Sequence, residues 1–591
     1  MRHVRRFSVS SRVRAGALPL CAALLFGCHG EVGSVDDGSP VPPTPLCDAS
    51  DPTNVVQGQK VALLTSTQLM NMVRTVSTDP MVGNTVAQMV IDANVFPIIT
   101  DLTVRFPPPV SEQLKVIIDA ETLTPFNLVA QQVGGYVTAN FATVTKCATP
   151  ATDTCATDYL NKLAIRSYRR DLTTDEQTRF TNLYATLKSQ IVNGYQVTQT
   201  VEQATGLAVN ALFMSPQMLW RWELGGAAST SPPGVYLTDG ELASQLSFFM
   251  TDQPPDDAIL ADARAGTLRA NIGAHVDRLL QTQGSRDWLV HIMEMYFKLN
   301  QLAAANLIDP VKYPDVSGVG LYIDLQKEAN LFLNDAMWNG KVMDLLTSRK
   351  TFLNSKLASM IYKIPVPAGA TETDFVAATL PADQRAGMIT NAGFITSRAR
   401  PTYVSIVARG LGVESLFLCL VPPSPPTSGA VADQIATATT NLANQTGQEQ
   451  VAFRAMTAPC SGCHPGFDPY GLVLDWYDVA GRYRLTDDLN KPVDGHTTLP
   501  AMVGGQTVQS AVELANVLSK SDVFSNCMAS TVLKYALPDA TIEVPLPLAG
   551  VKGCATAGIA NNLRHSSKQS FADLTRAVAT SPAFSIRQQV Q

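Results

Sequence analysis

Apolar positions recur at helical spacing along most of the chain. Thr65 to Thr75 sets Leu69, Met70, Met72 and Val73 among polar residues, which predicts a short amphipathic helix. Thr173-Thr-Asp-Glu176 and Thr238-Asp-Gly-Glu241 have the Thr-x-x-Glu form in which side chain and backbone cap each other at a helix start. The first predicts a helix through Leu183 and Leu187. The second predicts one through Leu242, Leu246 and Phe249 that stops before Pro254 and Pro255. A longer helical run from about Tyr195 should end near Ser215 and Pro216. Further amphipathic stretches cover 271–282, 288–298, 321–339 and 353–362, and Gly340 is expected in the left-handed position that closes the third of these. Alternation of strand type is scarce, and no Asn-Gly turn joins two apolar runs. The expected class is therefore all-α, with several helical modules in series.

Composition refines this picture. The chain has 591 residues, too many for one core, and its 46% hydrophobic and 16% charged content suits packed domains. The formal charge of −6 is small, and Lys and Arg are scattered, so nucleic acid is not an expected partner. Five arginines before residue 15 precede an apolar stretch from Gly16 to Gly27, which predicts an export signal over 1–27. It ends in Leu25-Phe26-Gly27-Cys28, resembling a lipobox in which Cys28 is lipidated and anchors the chain to a membrane. The alternative is ordinary cleavage near Gly27 or Gly30. Residues 28–58, rich in Pro and Ser, cannot bury a core and read as a tether. The expected location is the cell envelope, as an outer-membrane or periplasmic lipoprotein. Of ten cysteines, Cys21 would leave with the signal, Cys28 would carry lipid, and Cys460 and Cys463 belong to one exceptional motif. The remaining six, outside the cytosol, read as a disulfide framework of up to three pairs. Cys147 with Cys155 and Cys527 with Cys554 are the expected pairs, leaving Cys47 and Cys419 unassigned.

The exception is Cys460-Ser-Gly-Cys463-His464. Two thiols one turn apart, followed at once by His, match covalent attachment of a c-type haem, with His464 as the iron ligand. With 10 Cys and 7 His, chance would supply this pattern roughly 0.002 times. A thioredoxin-type pair would need a strand-to-helix setting that this region lacks, and zinc would need a second ligand pair. A purely structural disulfide is the remaining rival. Met502, in an extended loop downstream, is the candidate sixth ligand, with Met528 and His496 as alternatives. Arg482 and Arg484 are candidates to bind haem propionates, or else to pair locally with Asp475 and Asp478. Asp468 and Asp478 read equally well as helix or turn caps.

Several blocks around this motif resemble a known family. These are Arg166-Ser-Tyr-Arg-Arg170 with Leu172-Thr-Thr-Asp-Glu176; Leu212-Phe-Met-Ser-Pro216 with Trp220-Arg221; Leu237 to Phe249 with Pro255-Asp-Asp257; and Arg385-Ala-Gly-Met388, Ser405 and Arg409-Gly410. After the motif come Asp468-Pro-Tyr-Gly471, Asp478 and Gly481-Arg-Tyr-Arg484. In that order the chain is similar to the exported bacterial planctomycete cytochrome-like proteins, built from serial domains of unknown function numbered 1595, 1592, 1588 and 1585. One departure is Asp475, where the family usually has Glu. The resemblance implies an N-terminal helical domain over 59–230, a second over 231–365, a Cys-x-x-Cys-His domain over 380–488 and a C-terminal helical domain over 489–591. It also implies one haem and a cytochrome c-like C-terminal part. The function expected is an envelope haem protein that passes electrons to or from a redox partner. The competing expectation is a non-redox envelope scaffold, with polysaccharide as a candidate partner and the Cys pair as a staple. No Ser-x-x-Lys, Gly-x-Ser-x-Gly or His-Glu-x-x-His motif argues for a hydrolase.

Overall fold

The computed structural model describes residues 57–93, 120–193, 195–230, 232–302, 308–316, 318–420, 444–537 and 551–589, together with 429, 435 and 442. The export signal, Cys28, Cys47, most of the tether and the Pro-rich 421–426 segment lie outside the described residues. Within them helices dominate. The caps predicted at Thr173 and Thr238 form, and Thr65 makes another: each accepts from the backbone N–H three residues on. Gln68, Glu176 and Glu241 return the bond, starting helices Ser66–Arg74, Thr174–Lys188 and Asp239–Thr251. Among the described residues no helix is long and apolar enough to cross a membrane.

The all-α expectation needs correcting, because small sheets join distant parts of the chain. Gln57–Gly58, Ile586–Gln588, Pro233–Tyr236 and Ala228–Thr230 form a four-stranded sheet, and four two-stranded pairs accompany it. Strands of two to four residues are too short to leave a period-two signature in sequence. The run from Tyr195 also begins differently. Tyr195–Thr198 pairs with Ser189–Val192 as a hairpin, and the helix starts only at Val201, capped by Thr200. Tyr195 and Val197 alternate with Gln196 and Thr198, a strand pattern that the flanking helical periodicity obscures. Leu353 likewise closes the strand Lys350–Leu353, and only Leu357–Tyr362 is helical, as a wide π turn.

Gly340 ends its helix but is extended, with φ −122°, not left-handed. It serves close approach instead: an added Cβ would lie 2.6 Å from an Asp344 carboxylate oxygen that accepts from the Lys341 N–H.

Among the described residues, buried apolar side chains gather into three clusters. One, from Leu64 to Phe248, belongs to the N-terminal helices. The largest runs from Leu237 to Phe584 and is shared by helices on both sides of the Cys-x-x-Cys-His motif. A third lies around Tyr322, Leu357 and Val479. Cys147 and Cys155 are bonded to each other. Cys527 bonds to Cys419, not to Cys554 as expected. The end of helix Ile406–Phe417 packs on helix Asp522–Ala536, bringing the two Cα atoms to 5.2 Å inside the shared core, whereas Cys554 sits on the separate helix Val551–His565. The Tyr296 hydroxyl lies 3.6 and 3.5 Å from the two sulfurs, so helix Gln283–Tyr296 meets the same point.

At the sheet, Arg587 is fully buried and donates to Glu223 at 2.8 Å. Burial alone would raise the Glu223 carboxyl, but Arg587, Lys60 and Arg221 hold it down to about 2.

Candidate functional site

The motif sits between two helices that local chemistry defines. Thr446 and Glu449 form a reciprocal cap that starts helix Gly447–Met456. A 3-10 turn, Cys460–Gly462, follows, with the Cys463 N–H donating to the Cys460 carbonyl at 3.2 Å. Helix His464–Leu472 begins immediately after, with Pro465 in its first turn, where no backbone donor is missed. Cys460 is half-buried, Cys463 is exposed, and both thiols are free, unlike the two bonded pairs elsewhere.

His464 Nδ1 lies 3.1 Å from Oδ1 of Asp468, one helical turn on. The other carboxylate oxygen of Asp468 accepts from Arg454 Nε at 2.6 Å. Asp468 is 1% exposed and Arg454 6%, and one Arg454 nitrogen, Nη2, is buried without a partner. The imidazole also packs on Phe467, with ring centroids 4.8 Å apart. His464 keeps about a fifth of its side chain exposed. Nδ1 faces the buried carboxylate, so Nε2 is directed away from it. A free thiol pair on one turn, with an imidazole presenting Nε2, fits covalent attachment of a haem with His464 beneath it.

The motif helix owes its position to a glycine crossing. It packs against helix Ile406–Phe417 with Gly471 and Gly410 at the contact. A Cβ on Gly471 would fall 2.0 Å from the Ile406 carbonyl oxygen, and one on Gly410 2.2 Å from that of Phe467. Arg409, fully buried on the same helix, donates to the carbonyls of Leu474, Tyr477 and Asp478 at 2.6–2.7 Å and so fixes the segment that leaves the motif helix. Burial lowers its guanidinium to about 10. Arg385 lies between the rings of Tyr362 and Tyr477 and donates to the carbonyls of Thr390 and Gly481. Gly481 needs its φ of +78° and its bare Cα, because a Cβ would lie 2.7 Å from Ala392 Cα. These arginines and glycines form the frame of the site and do not line it.

Glu414, on helix Ile406–Phe417, is a residue that sequence reasoning missed. It is 7% exposed, burial pushes its carboxyl up to about 7, and one oxygen has no partner. The other lies 3.6 Å from where a Cβ of Gly466 would be, and the nearby Tyr470 hydroxyl is also unpartnered. Arg454 and the ion-paired role of Asp468 were missed as well, although the i, i+4 spacing of His464 and Asp468 was visible.

The remaining candidates separate. Arg482 pairs with Asp478 and Asp315, and Arg484 with Asp475 and Asp488, so both are committed to protein carboxylates. Asp478 also caps its own turn, accepting from the Ala480 and Arg482 N–H groups. Met502 lies 44% exposed on a 3-10 turn, Ala501–Val503. Met528 is fully buried in the shared core, where it fills space. His496 is exposed, and its carbonyl accepts from Gln448 beside the motif. Among the described residues no group of three or more His, Cys, Asp or Glu is placed to hold a metal ion. A groove of about 520 Å³ lies apart from the motif, between helices Gln283–Tyr296 and Val319–Asn339, lined by polar residues including His291, Glu294 and Asn330.

Comparison with known proteins adds two findings. Residues 237–364 match the family described as PSD4, protein of unknown function (DUF1592), and residues 385–487 match PSCyt3, protein of unknown function (DUF1588). No curated protein and no solved structure matches the chain. The frame residues Arg385, Arg409, Asp478 and Gly481, and the Cys-x-x-Cys-His motif itself, all fall inside the second match. The chain therefore carries two domains of unknown function in series, a DUF1592 segment followed by a DUF1588 segment.

Proposed function

We propose that this chain is a c-type haem protein of the cell envelope, related to the planctomycete cytochrome-like proteins, that exchanges single electrons with a redox partner. The observation that carries the reading is the arrangement at residues 460–464. Two free thiols stand one turn apart, and the adjacent His464 has its Nδ1 occupied by Asp468. Cys460 and Cys463 would form the thioethers, and His464 would supply Nε2 to the iron. The haem, once bound, supplies one-electron chemistry at its iron. The protein's part is to bind, orient and insulate. Helix His464–Leu472 is held by the glycine crossing and by Phe467 and Tyr470 in the shared core, and Arg409 fixes the segment that leaves it. The predicted signal over 1–27 and Cys28 support export and a lipid anchor, which would place the site where haem attachment machinery operates.

Expression of the full chain in a periplasm equipped for c-type maturation tests this. The mature protein should gain the mass of one haem and keep a reduced α-band absorbance after denaturation. Cys460→Ser/Cys463→Ser should lose both. A folded, colourless wild-type product with no added mass overturns the proposal.

A further inference from the structure

Resting on the haem reading above, we infer that Asp468 is a positioning residue that fixes which nitrogen of His464 meets the iron and makes that nitrogen an unusually strong donor. Asp468 Oδ1 lies 3.1 Å from Nδ1, and its second oxygen is held at 2.6 Å by the Arg454 guanidinium. Because the acceptor is a carboxylate, Nδ1 carries the hydrogen and Nε2 the lone pair.

The nature of the acceptor matters as much as its position. A carbonyl accepting from Nδ1 fixes the ring but withdraws little charge. A carboxylate draws the Nδ1 hydrogen toward itself and leaves the ring with partial imidazolate character, making Nε2 a stronger electron donor to a metal. The pair is 1% and 6% exposed, so water does not screen the effect. Arg454 holds the carboxylate in place from the far side, because its Nε bond fixes the rotamer in which Oδ1 reaches the imidazole. A more strongly donating Nε2 would stabilise ferric over ferrous iron in the couple Fe(III) plus one electron to Fe(II). The structure thus assigns this site a lower reduction potential than the same haem would have with a neutral acceptor at residue 468.

The test is potentiometric titration of the haem-loaded full chain, with the electron supplied by an electrode through mediators. Asp468→Asn keeps the shape and removes the charge. The double variant Arg454→Gln/Asp468→Asn removes both charges, so no cation is left buried alone if the single variant folds poorly. Each should raise the ferrous-to-ferric ratio at fixed ambient potential about tenfold, which is ~59 mV for one electron. Resonance Raman spectra of the ferrous five-coordinate form should show the iron–histidine stretch at lower frequency, a change that a merely structural residue would not produce. Variants that carry haem with unchanged potential and stretch overturn this inference and leave the haem reading standing. A wild-type chain that never acquires haem overturns both.

Discussion

Gly471→Ala adds one methyl group at the tightest point of the site. The new carbon would lie 2.0 Å from the Ile406 carbonyl oxygen and 2.9 Å from the Gly410 nitrogen, where ordinary contact is 3.4–4 Å. The obstructing atoms are backbone, so no rotamer change relieves them, and the helix bearing His464 must move by more than an ångström. Overpacking of this kind costs about 1–3 kcal/mol where side chains can give way, and the rigid neighbour places this case at the upper end. Alanine's better helix propensity offsets about 1 kcal/mol, leaving about 2 kcal/mol of net destabilisation. Gly462→Ala is the control. It lies inside the motif itself, yet its added carbon meets nothing within 4 Å. Guanidinium unfolding of both variants should show a clear loss for Gly471→Ala and a change within about 0.5 kcal/mol for Gly462→Ala. The same displacement should lower the yield of attached haem in the first variant and not in the second. Equal stability and equal yield in the two would refute the claim that the glycine crossing sets the site.

Glu328 is fully buried, and desolvation raises its carboxyl from 4.5 to about 7 against the opposing pull of Thr351, Tyr362, Arg385 and Asn391. The folded chain keeps a proton that the unfolded chain releases, so stability present below pH 4.5 declines as pH rises to 7. The loss is about 3 kcal/mol, and Glu328→Gln should remove that slope in unfolding measured from pH 5 to 8. Replacing Cys419 and Cys527 together by Ala opens a cross-link with a sequence separation of 108. It should cost up to about 5 kcal/mol in denaturant unfolding, against about 2.5 for the Cys147–Cys155 pair. Arg409→Met strands three buried carbonyls and should cost about 3–5 kcal/mol by the same assay. Arg409→Lys should fail to rescue it, because one ammonium cannot reproduce the guanidinium fork.

What was legible in sequence was local. Reciprocal caps at Thr173 and Thr238 are readable because donor and acceptor lie three residues apart. The Cys-x-x-Cys-His motif is readable for the same reason, its members being consecutive positions on one turn. Features that depend on packing were not legible. Cys527 looked closer to Cys554 along the chain, yet the crossing of two helices delivers Cys419 to it. For Arg482 and Arg484 the local pairing with Asp478 and Asp475 was one of two readings the sequence offered, whereas their distant partners Asp315 and Asp488 depend on packing. Asp468 read as a cap, and only the approach of Arg454 from the preceding helix shows that it belongs to an ion pair. Strands such as Gln57–Gly58 have no sequence signal at all, since a partner at the far end of the chain creates them.

That last pairing has a kinetic consequence. Gln57 and Gly58 lie beside Arg587 and Gln588, roughly 530 positions away, and Arg587 is also the buried counter-charge of Glu223. A growing chain folding from its N-terminal side onward must hold that strand unpaired, and that carboxylate without its main cation, until Arg587 has been made. Loop closure over such a span costs little more entropy than closing a loop half as long, but it can occur only once Ile586–Gln588 has been made. The sheet therefore couples the order of synthesis to the order of folding. A chain lacking Ile586–Gln588 would leave Pro233–Tyr236 with an open strand edge and Glu223 with only Lys60 and Arg221 against its charge, exposing a surface on which other strands can pair.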